Sequence, residues 1–384
     1  MKIVILGSAH PFRGGLASYN ERLALEYQRE GHEVIIYTFS LQYPSFLFPG
    51  KTQYSESPKP TDLDIRIRVN STNPLNWLSV GNEIKNLKPD LLIVKYWLPF
   101  MGPCFGTICR IVKRNRHTKI VSILDNVVPH EPRVGDVPFT KYFIGGIDAA
   151  VAMSQSVLDD FKKFAPTKPV LLSPHPAFDN FGERESKEQA KQKLISDSTP
   201  EGIPTGQPVL LFFGFIRDYK GLDWLLQAIA KLDVMQLNFK LLVAGEFYTD
   251  AQRYLDLIQQ LNLQDKVILH THFINDEDVK HYFCAADMVV QPYKHATQSG
   301  VTQICYHFER PMLVTRTGGL PEIVPDGKVG YVVEPNVDAI SKAIHDFYTN
   351  NREEFFASNV TIEKQRFTWD KMTKATFDAA SRVK

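Results

Sequence analysis

The chain has little of what marks several common protein classes. Its 384 residues include only four cysteines, Cys104, Cys109, Cys284 and Cys305, with no CxxC spacing. That argues against a disulfide framework or a structural zinc site and for a reduced, cytoplasmic setting. No window approaches the roughly 20 apolar residues needed to cross a bilayer. The opening run MKIVILG is shorter than the roughly 7 to 15 residues of a secretory h-region, so it reads as a first strand. Neither an integral membrane protein nor an exported solute-binding protein is expected. Net charge is nearly absent, +1 overall, yet residues 1–178 hold 21 Lys and Arg against 15 Asp and Glu, and the remainder 23 against 28. A basic first half suits an anionic surface or substrate. Low-complexity tracts and short repeats are missing, and so is a GxGxxG dinucleotide signature.

What is there is an alternation of short Val/Ile/Leu-rich runs with helical-period segments, the mark of parallel sheets with crossover helices. The first half offers strands at 2–7, 33–39, 90–97, 119–125, 149–154 and 169–174, and the second at 208–214, 239–247, 266–273, 287–293 and 311–317. The length suits two cores. The fold class expected is α/β with two Rossmann-like, doubly wound domains. Their boundaries are 1–178 for the first and 208–365 for the second, with 179–207 as linker and lead-in helix. A last amphipathic helix, 366–384, packs back on the first domain.

Open sheets of this kind bind ligands where strands end and loops enter helices. After the first strand, Gly14 and Gly15 open a helix whose bare N–H groups can meet a phosphate or sugar. In GFIRDYKG, Gly214 is followed by Arg217 and Lys220, a bidentate fork and a point charge suited to a diphosphate. In HATQSGV, Thr297, Gln298, Ser299, Gly300 and Val301 sit where a strand hands over to a helix, and Ser299 also caps that helix. Gly318 and Gly319 mark a further turn. His270 and His272 alternate on one strand, but no third ligand stands near, so no metal is expected. The segment 109–119 carries Arg110, Lys113, Arg114, Arg116 and Lys119 with no acid. Together with the aromatic loops 41–50 and 96–103, it suggests peripheral contact with an anionic membrane at its inner face.

These stretches occur in one order with LLVAGEF, VILHTHFINDEDVKHYFCAADMVVQPY and RPMLVTRTGGLPEIV, and together they resemble retaining glycosyltransferases of the GT-B fold, family 4. The resemblance covers nearly the whole chain. It implies a nucleotide-sugar held mainly by the second domain across a cleft from the acceptor, with no prosthetic group and no essential metal. The co-substrate is then a UDP- or GDP-sugar, and the acceptor a saccharide or lipid-linked hydroxyl, as in polysaccharide precursors; no nucleic acid is expected. Carried over, Gly14 and Gly15 match the glycine turn near the donor, Lys220 the phosphate-binding lysine, Gly245 and Glu246 the loop after the next strand, and Phe273 and Ile274 the place where backbone meets the base.

Several positions depart from the pattern. Phe215 stands where the family arginine follows the glycine, with Arg217 two residues later. Relatives carry two glutamates eight positions apart, and here those places hold Ala296 and Ile304. On the acceptor side Lys95 replaces a common histidine. With Tyr96, Trp97, Asp125, Asn126 and His130 it forms the candidate acceptor and catalytic set, His130 being the one group among them that titrates near neutrality unperturbed. The missing carboxylates keep open a catalytically silent sugar-nucleotide binder. A nucleotide-sugar 2-epimerase shares the plan, as does a phosphorylase, although no pyridoxal lysine can be placed for the latter.

Overall fold

The computed structural model describes residues 1–44, 53–55, 58–128, 135–195, 199–233, 237–296 and 299–383. They form two compact units, Met1–Pro176 with Thr368–Lys384, and Ala177–Phe367. Unit 1 holds a seven-stranded parallel sheet in the order β3-β2-β1-β4-β5-β6-β7. Its strands are β1 (Lys2–Leu6), β2 (Glu33–Leu41), β3 (Asp64–Asn70), β4 (Leu91–Tyr96), β5 (Lys119–Leu124), β6 (Ala149–Ala152) and β7 (Val170–Leu172). Helices α1 (Gly15–Arg29), α2 (Pro74–Leu87), α3 (Gly102–Lys113), α4 (Asp136–Gly146) and α5 (Gln155–Phe164) make the crossovers. Strands β1 and β4 are buried almost throughout, because helices cover both faces of a parallel sheet.

Unit 2 repeats the scheme with six parallel strands in the order β10-β9-β8-β11-β12-β13. They are β8 (Val209–Phe213), β9 (Lys240–Ala244), β10 (Val267–His270), β11 (Met288–Gln291), β12 (Met312–Thr315) and β13 (Gly330–Val333). Its helices are α6 (Lys187–Lys193), α7 (Leu222–Asp233), α8 (Gln252–Gln260), α9 (Val279–Ala285), α10 (Gly300–Phe308), α11 (Leu320–Ile323), α12 (Val337–Thr349) and α13 (Glu353–Glu363). The segment expected as a linker, 179–207, differs from that reading. Ser186 and Gln189 form a capping box that starts α6, Ala190 is fully buried, and Lys187 pairs with Asp287. These contacts make it part of unit 2. Edge strands β3 and β13 were not among the expected strands: β3 reads DIRIRVN, with charges on every second residue, and β13 opens on a glycine.

The last helix, α14 (Trp369–Ser381), returns to unit 1 and lies against α1 and the β5–β7 side of the sheet. Trp369, Met372, Thr373, Thr376 and Ala379 form its buried face, and inside it the Tyr27 hydroxyl meets Thr376 Oγ1. A buried phenol without a partner costs about 1 to 3 kcal/mol. Thr376→Val keeps the shape and removes the partner, so urea unfolding should report a loss of that size in unit 1, whereas a wild-type midpoint would mean that the hydroxyl pair contributes nothing.

Candidate functional site

Both sheets reverse their winding direction at one place, and ligand crevices of doubly wound sheets lie there, outside the carboxyl ends of the strands. In unit 1 the reversal falls between β1 and β4, in unit 2 between β8 and β11. The Gly14–Gly15 turn follows β1 and Lys95 lies in the last turn of β4. Likewise the Gly214–Lys220 loop follows β8, and Ser299–Val301 follow β11.

In unit 2 the chain leaves β8 through Gly214, at φ 95°. A Cβ added there would lie 2.9 Å from Lys220 Nζ and 3.9 Å from Val301 Cγ2, so the absent side chain makes room for the ammonium beside the first turn of α10. A short 3-10 turn, Asp218–Lys220, carries that lysine inward to 9% exposure. No carboxylate among the described residues pairs with it. Its one aromatic neighbour over a face is Tyr293, 5.6 Å from the ring centroid. Burial first, and then the Arg217 charge, push its pKa down from 10.5 to about 8. Arg217 lies over Tyr248 at 5.0 Å, and Tyr248 stacks on Phe215 at 4.3 Å. Arg217 forms no ion pair with the described residues, whereas Asp218 and Asp223 are both engaged by Arg253, and Asp223 also by Lys294. Ser299 caps α10, its hydroxyl accepting from Val301 N–H at 3.2 Å. Gly245 packs on the Gly214 backbone so tightly that a Cβ there would stand 2.4 Å from Gly214 O. Glu246 and Ile274 are buried and Phe273 is half-buried. Thr297 and Gln298 lie outside the described residues. Ile304 is a buried residue of α10, 6% exposed.

In unit 1, α1 starts at Gly14, at φ 95° with no side-chain cap. Lys95, 1% exposed, extends to Asp125 Oδ1 at 2.9 Å. Its ammonium rests 3.5 Å from the centroid of Tyr19 and 3.7 Å from Met153 Sδ. Burial pulls the lysine down and the carboxyl up, and their mutual attraction opposes both shifts. Asp125 Oδ2 has no hydrogen-bond partner among the described residues. Asn126 is half-buried beside it, and His130 lies outside the described residues. Tyr96 corrects the expectation: strand alternation points it opposite to Lys95, into the core, where it stacks on Phe143 at 4.2 Å and meets Thr140. Trp97 donates from its indole to the Tyr43 hydroxyl and packs on Phe105.

The expected basic patch is largely occupied. Arg110 donates to Gly106 O and Tyr142 O, Lys113 pairs with Asp148, and Lys119 reaches Val383 O, which leaves Arg114 and Arg116 as exposed cations. Most of the aromatic loop 41–50 lies outside the described residues. His270 is bonded to the Tyr282 hydroxyl at 2.9 Å, and no cluster of three metal-ligating side chains occurs among the described residues. Sequence reading missed Tyr19, Asn20, Tyr248 and Tyr293. Tyr19, one helical turn past Gly15, was the most accessible of these, since the glycine turn already marked the start of its helix.

Residues 195–361 match the model of the family Glycosyl transferases group 1. Within that stretch the chain is similar to this family. Among curated relatives, the N-acetyl-alpha-D-glucosaminyl L-malate synthase of Bacillus anthracis is 24% identical over 354 residues, which is 87% of this chain and 84% of that protein. Other relatives are matched over less, 45% and 44% of their own lengths in two cases. Sucrose-phosphate synthase from Thermosynechococcus elongatus superposes at a TM-score of 0.73 with 17% identity, covering 98% of both chains. Anabaena HepE, solved in complex with UDP, superposes at 0.71 with 15% identity over 99% of this chain and all of that one. The fold is therefore that of GT-B proteins, with two Rossmann-like units. No helix among the described residues is long and apolar enough to cross a membrane.

Unit 2 thus holds a buried ammonium whose charge depends on one proton, and the expectation that it serves as an anion site can be tested. Lys220 binds an anion while charged, so inorganic pyrophosphate affinity should hold below about pH 8 and weaken by up to about tenfold for each pH unit above it. The folded pKa lies below the unfolded one, so the penalty for burying this charge is fully present below about pH 8 and fades toward 10.5. Lys220→Met should raise stability by about 1 to 3 kcal/mol at pH 7 and by less at pH 10, while losing pyrophosphate. Calorimetry at the two pH values would contradict this if the variant were destabilised or still bound the anion.

Proposed function

We propose that this glycosyltransferase moves a sugar from a UDP- or GDP-sugar to a hydroxyl acceptor with retention of the anomeric configuration. The observation that carries the reading is Lys220, a buried ammonium with no carboxylate, set beside Gly214 and the first turn of α10. Such a charge is stable in the fold chiefly when an anion can join it. A nucleoside diphosphate supplies that anion, and HepE, of similar fold, was solved with UDP.

During transfer the bond from the anomeric carbon to the diphosphate breaks, its electron pair leaves with the phosphate, and the acceptor oxygen forms the new bond. Lys220, Arg217 and the N–H groups opening α10 stabilise the departing charge, which is often the largest catalytic contribution. Gly14 and Gly15 present the bare start of α1 to the donor, with Gly245, Glu246, Phe273 and Ile274 lining the nucleotide. Retention brings the acceptor to the face from which the diphosphate departs, so a phosphate oxygen takes the hydroxyl proton. On unit 1, Asp125 Oδ2 accepts a hydrogen bond from a neighbouring hydroxyl of the acceptor and so orients it, while Lys95 keeps the carboxyl ionised. Neutral amide and hydroxyl groups around Ser299 stand in for the carboxylates absent at Ala296 and Ile304. The acceptor is a saccharide or lipid-linked saccharide of a polysaccharide precursor, met at the inner face of the membrane.

A second reading, a sugar-nucleotide binder without turnover, draws on those two absent carboxylates. Incubation with UDP- and GDP-sugars separates the two: nucleotide release with a new glycoside bond of retained configuration by NMR supports transfer, and binding without release supports the alternative. Lys220→Ala should raise the barrier by about 2 to 4 kcal/mol, and Asp125→Asn should lower kcat at least tenfold. Wild-type turnover in both variants would overturn the assignment.

A further inference from the structure

Tyr19 has no part in the scheme above, yet the acceptor-side pair rests on it. It is 1% exposed, and its ring face lies under the Lys95 ammonium at 3.5 Å. Two other rings hold it there: His175 meets it at 4.9 Å and 72°, and Trp369 at 5.1 Å and 57°. These residues flank the two points where the chain passes between the units, after Pro176 and after Phe367. Both are themselves tethered, His175 through Nδ1 to Pro176 O at 2.6 Å and Trp369 under the Arg22 guanidinium at 5.1 Å. His175 is held neutral, its pKa pushed to about 3 by burial and by the Lys95 charge. It therefore adds no second cation beside Lys95.

Packing alone does not account for the residue. A ring serving only as filler would not carry a buried ammonium over its face. Among the described residues the Tyr19 hydroxyl, Asn20 Oδ1 and Asp125 Oδ2 are all buried without a hydrogen-bond partner, where the large majority of such atoms are satisfied. Asn20 and Lys95 both border Gly7, where a Cβ would stand 2.5 Å from Asn20 Nδ2 and 3.2 Å from Lys95 Cβ, so Asn20 lies beside the stem of the lysine whose ammonium Tyr19 and Asp125 contact. Two spare acceptors and a neutral phenol match a ligand rich in hydroxyls, and that ammonium is already paired.

We propose that Tyr19 is a positioning residue for glycosyl transfer: its ring face fixes the Lys95 ammonium on one oxygen of Asp125 and so leaves the other oxygen aimed at that neighbouring hydroxyl of the acceptor. Without the ring, the ammonium is free to bridge both oxygens or to turn toward Met153, and the carboxylate loses its fixed lone pair. The inference rests on the assignment of Asp125 to the acceptor.

The test uses the full-length Tyr19→Phe variant and its mono-, di- and trifluorinated ring analogues, which keep ring shape while draining electron density from the face. Tyr19→Phe should retain kcat within a few-fold. Across the fluorinated series kcat should then fall progressively by about tenfold, the span of a buried cation–π contact, with the KM of the nucleotide-sugar unchanged. Tyr19→Leu should fall at or beyond the end of the series. A flat series, or a donor KM that rises in step with the loss of kcat, would overturn the role. If Asp125→Asn is inactive and the series is flat, only the Tyr19 inference fails. If Asp125→Asn turns over at the wild-type rate, the acceptor assignment beneath it fails.

Discussion

The constraint on which the site depends is a positive charge removed from water without a compensating carboxylate. Burying an isolated ion costs several kcal/mol even after relaxation, and unit 2 accepts that cost at Lys220. The local sequence is arranged around it: glycine at 214 makes the space, the 3-10 turn at Asp218–Lys220 directs the side chain inward, and nearby acids are drawn off to Arg253 and Lys294. Unit 1 follows the opposite electrostatic logic. Its buried lysine is matched by Asp125 at 2.9 Å, and the groups left over are hydrogen-bond acceptors. One unit thus offers uncompensated charge, suited to a diphosphate, and the other offers a neutral pair with spare lone pairs, suited to a hydroxyl.

Both arrangements arise from the same topology. A doubly wound parallel sheet opens a crevice where neighbouring crossovers run to opposite faces. In unit 2 the exits of β8 and β9 stay in a backbone contact that only glycine allows, Gly245 against Gly214 O. The short loops that follow are then close enough for a lysine from one and a helix start from another to address the same volume.

Much of this was legible in the sequence because parallel strands are continuously apolar and their exits carry glycine. The central strands, the glycine turns, and Arg217 with Lys220 were all placed by that pattern. The edge strands escaped because one face is wet: β3 alternates charge with Ile and Val, and β13 is four residues long. Tyr96 was misread because two residues adjacent on a strand point opposite ways, so Lys95 facing polar partners sends Tyr96 into the core. In the basic segment 109–119 a count of cations does not show which are engaged, and the structure has Arg110 bound to carbonyls and Lys113 to Asp148. Tyr19 and His175 could not be joined from sequence, because their contact spans residues whose only link is the folded sheet.

The return of α14 to unit 1 makes the first unit discontinuous, while unit 2 is a single uninterrupted stretch. During synthesis domains fold as they emerge, but here the sheet of unit 1 stays short of one helix until unit 2 has been made. Until then the ring of Tyr19 lacks Trp369 and the Tyr27 phenol lacks Thr376. Unit 2 can therefore reach its final packing before unit 1 does.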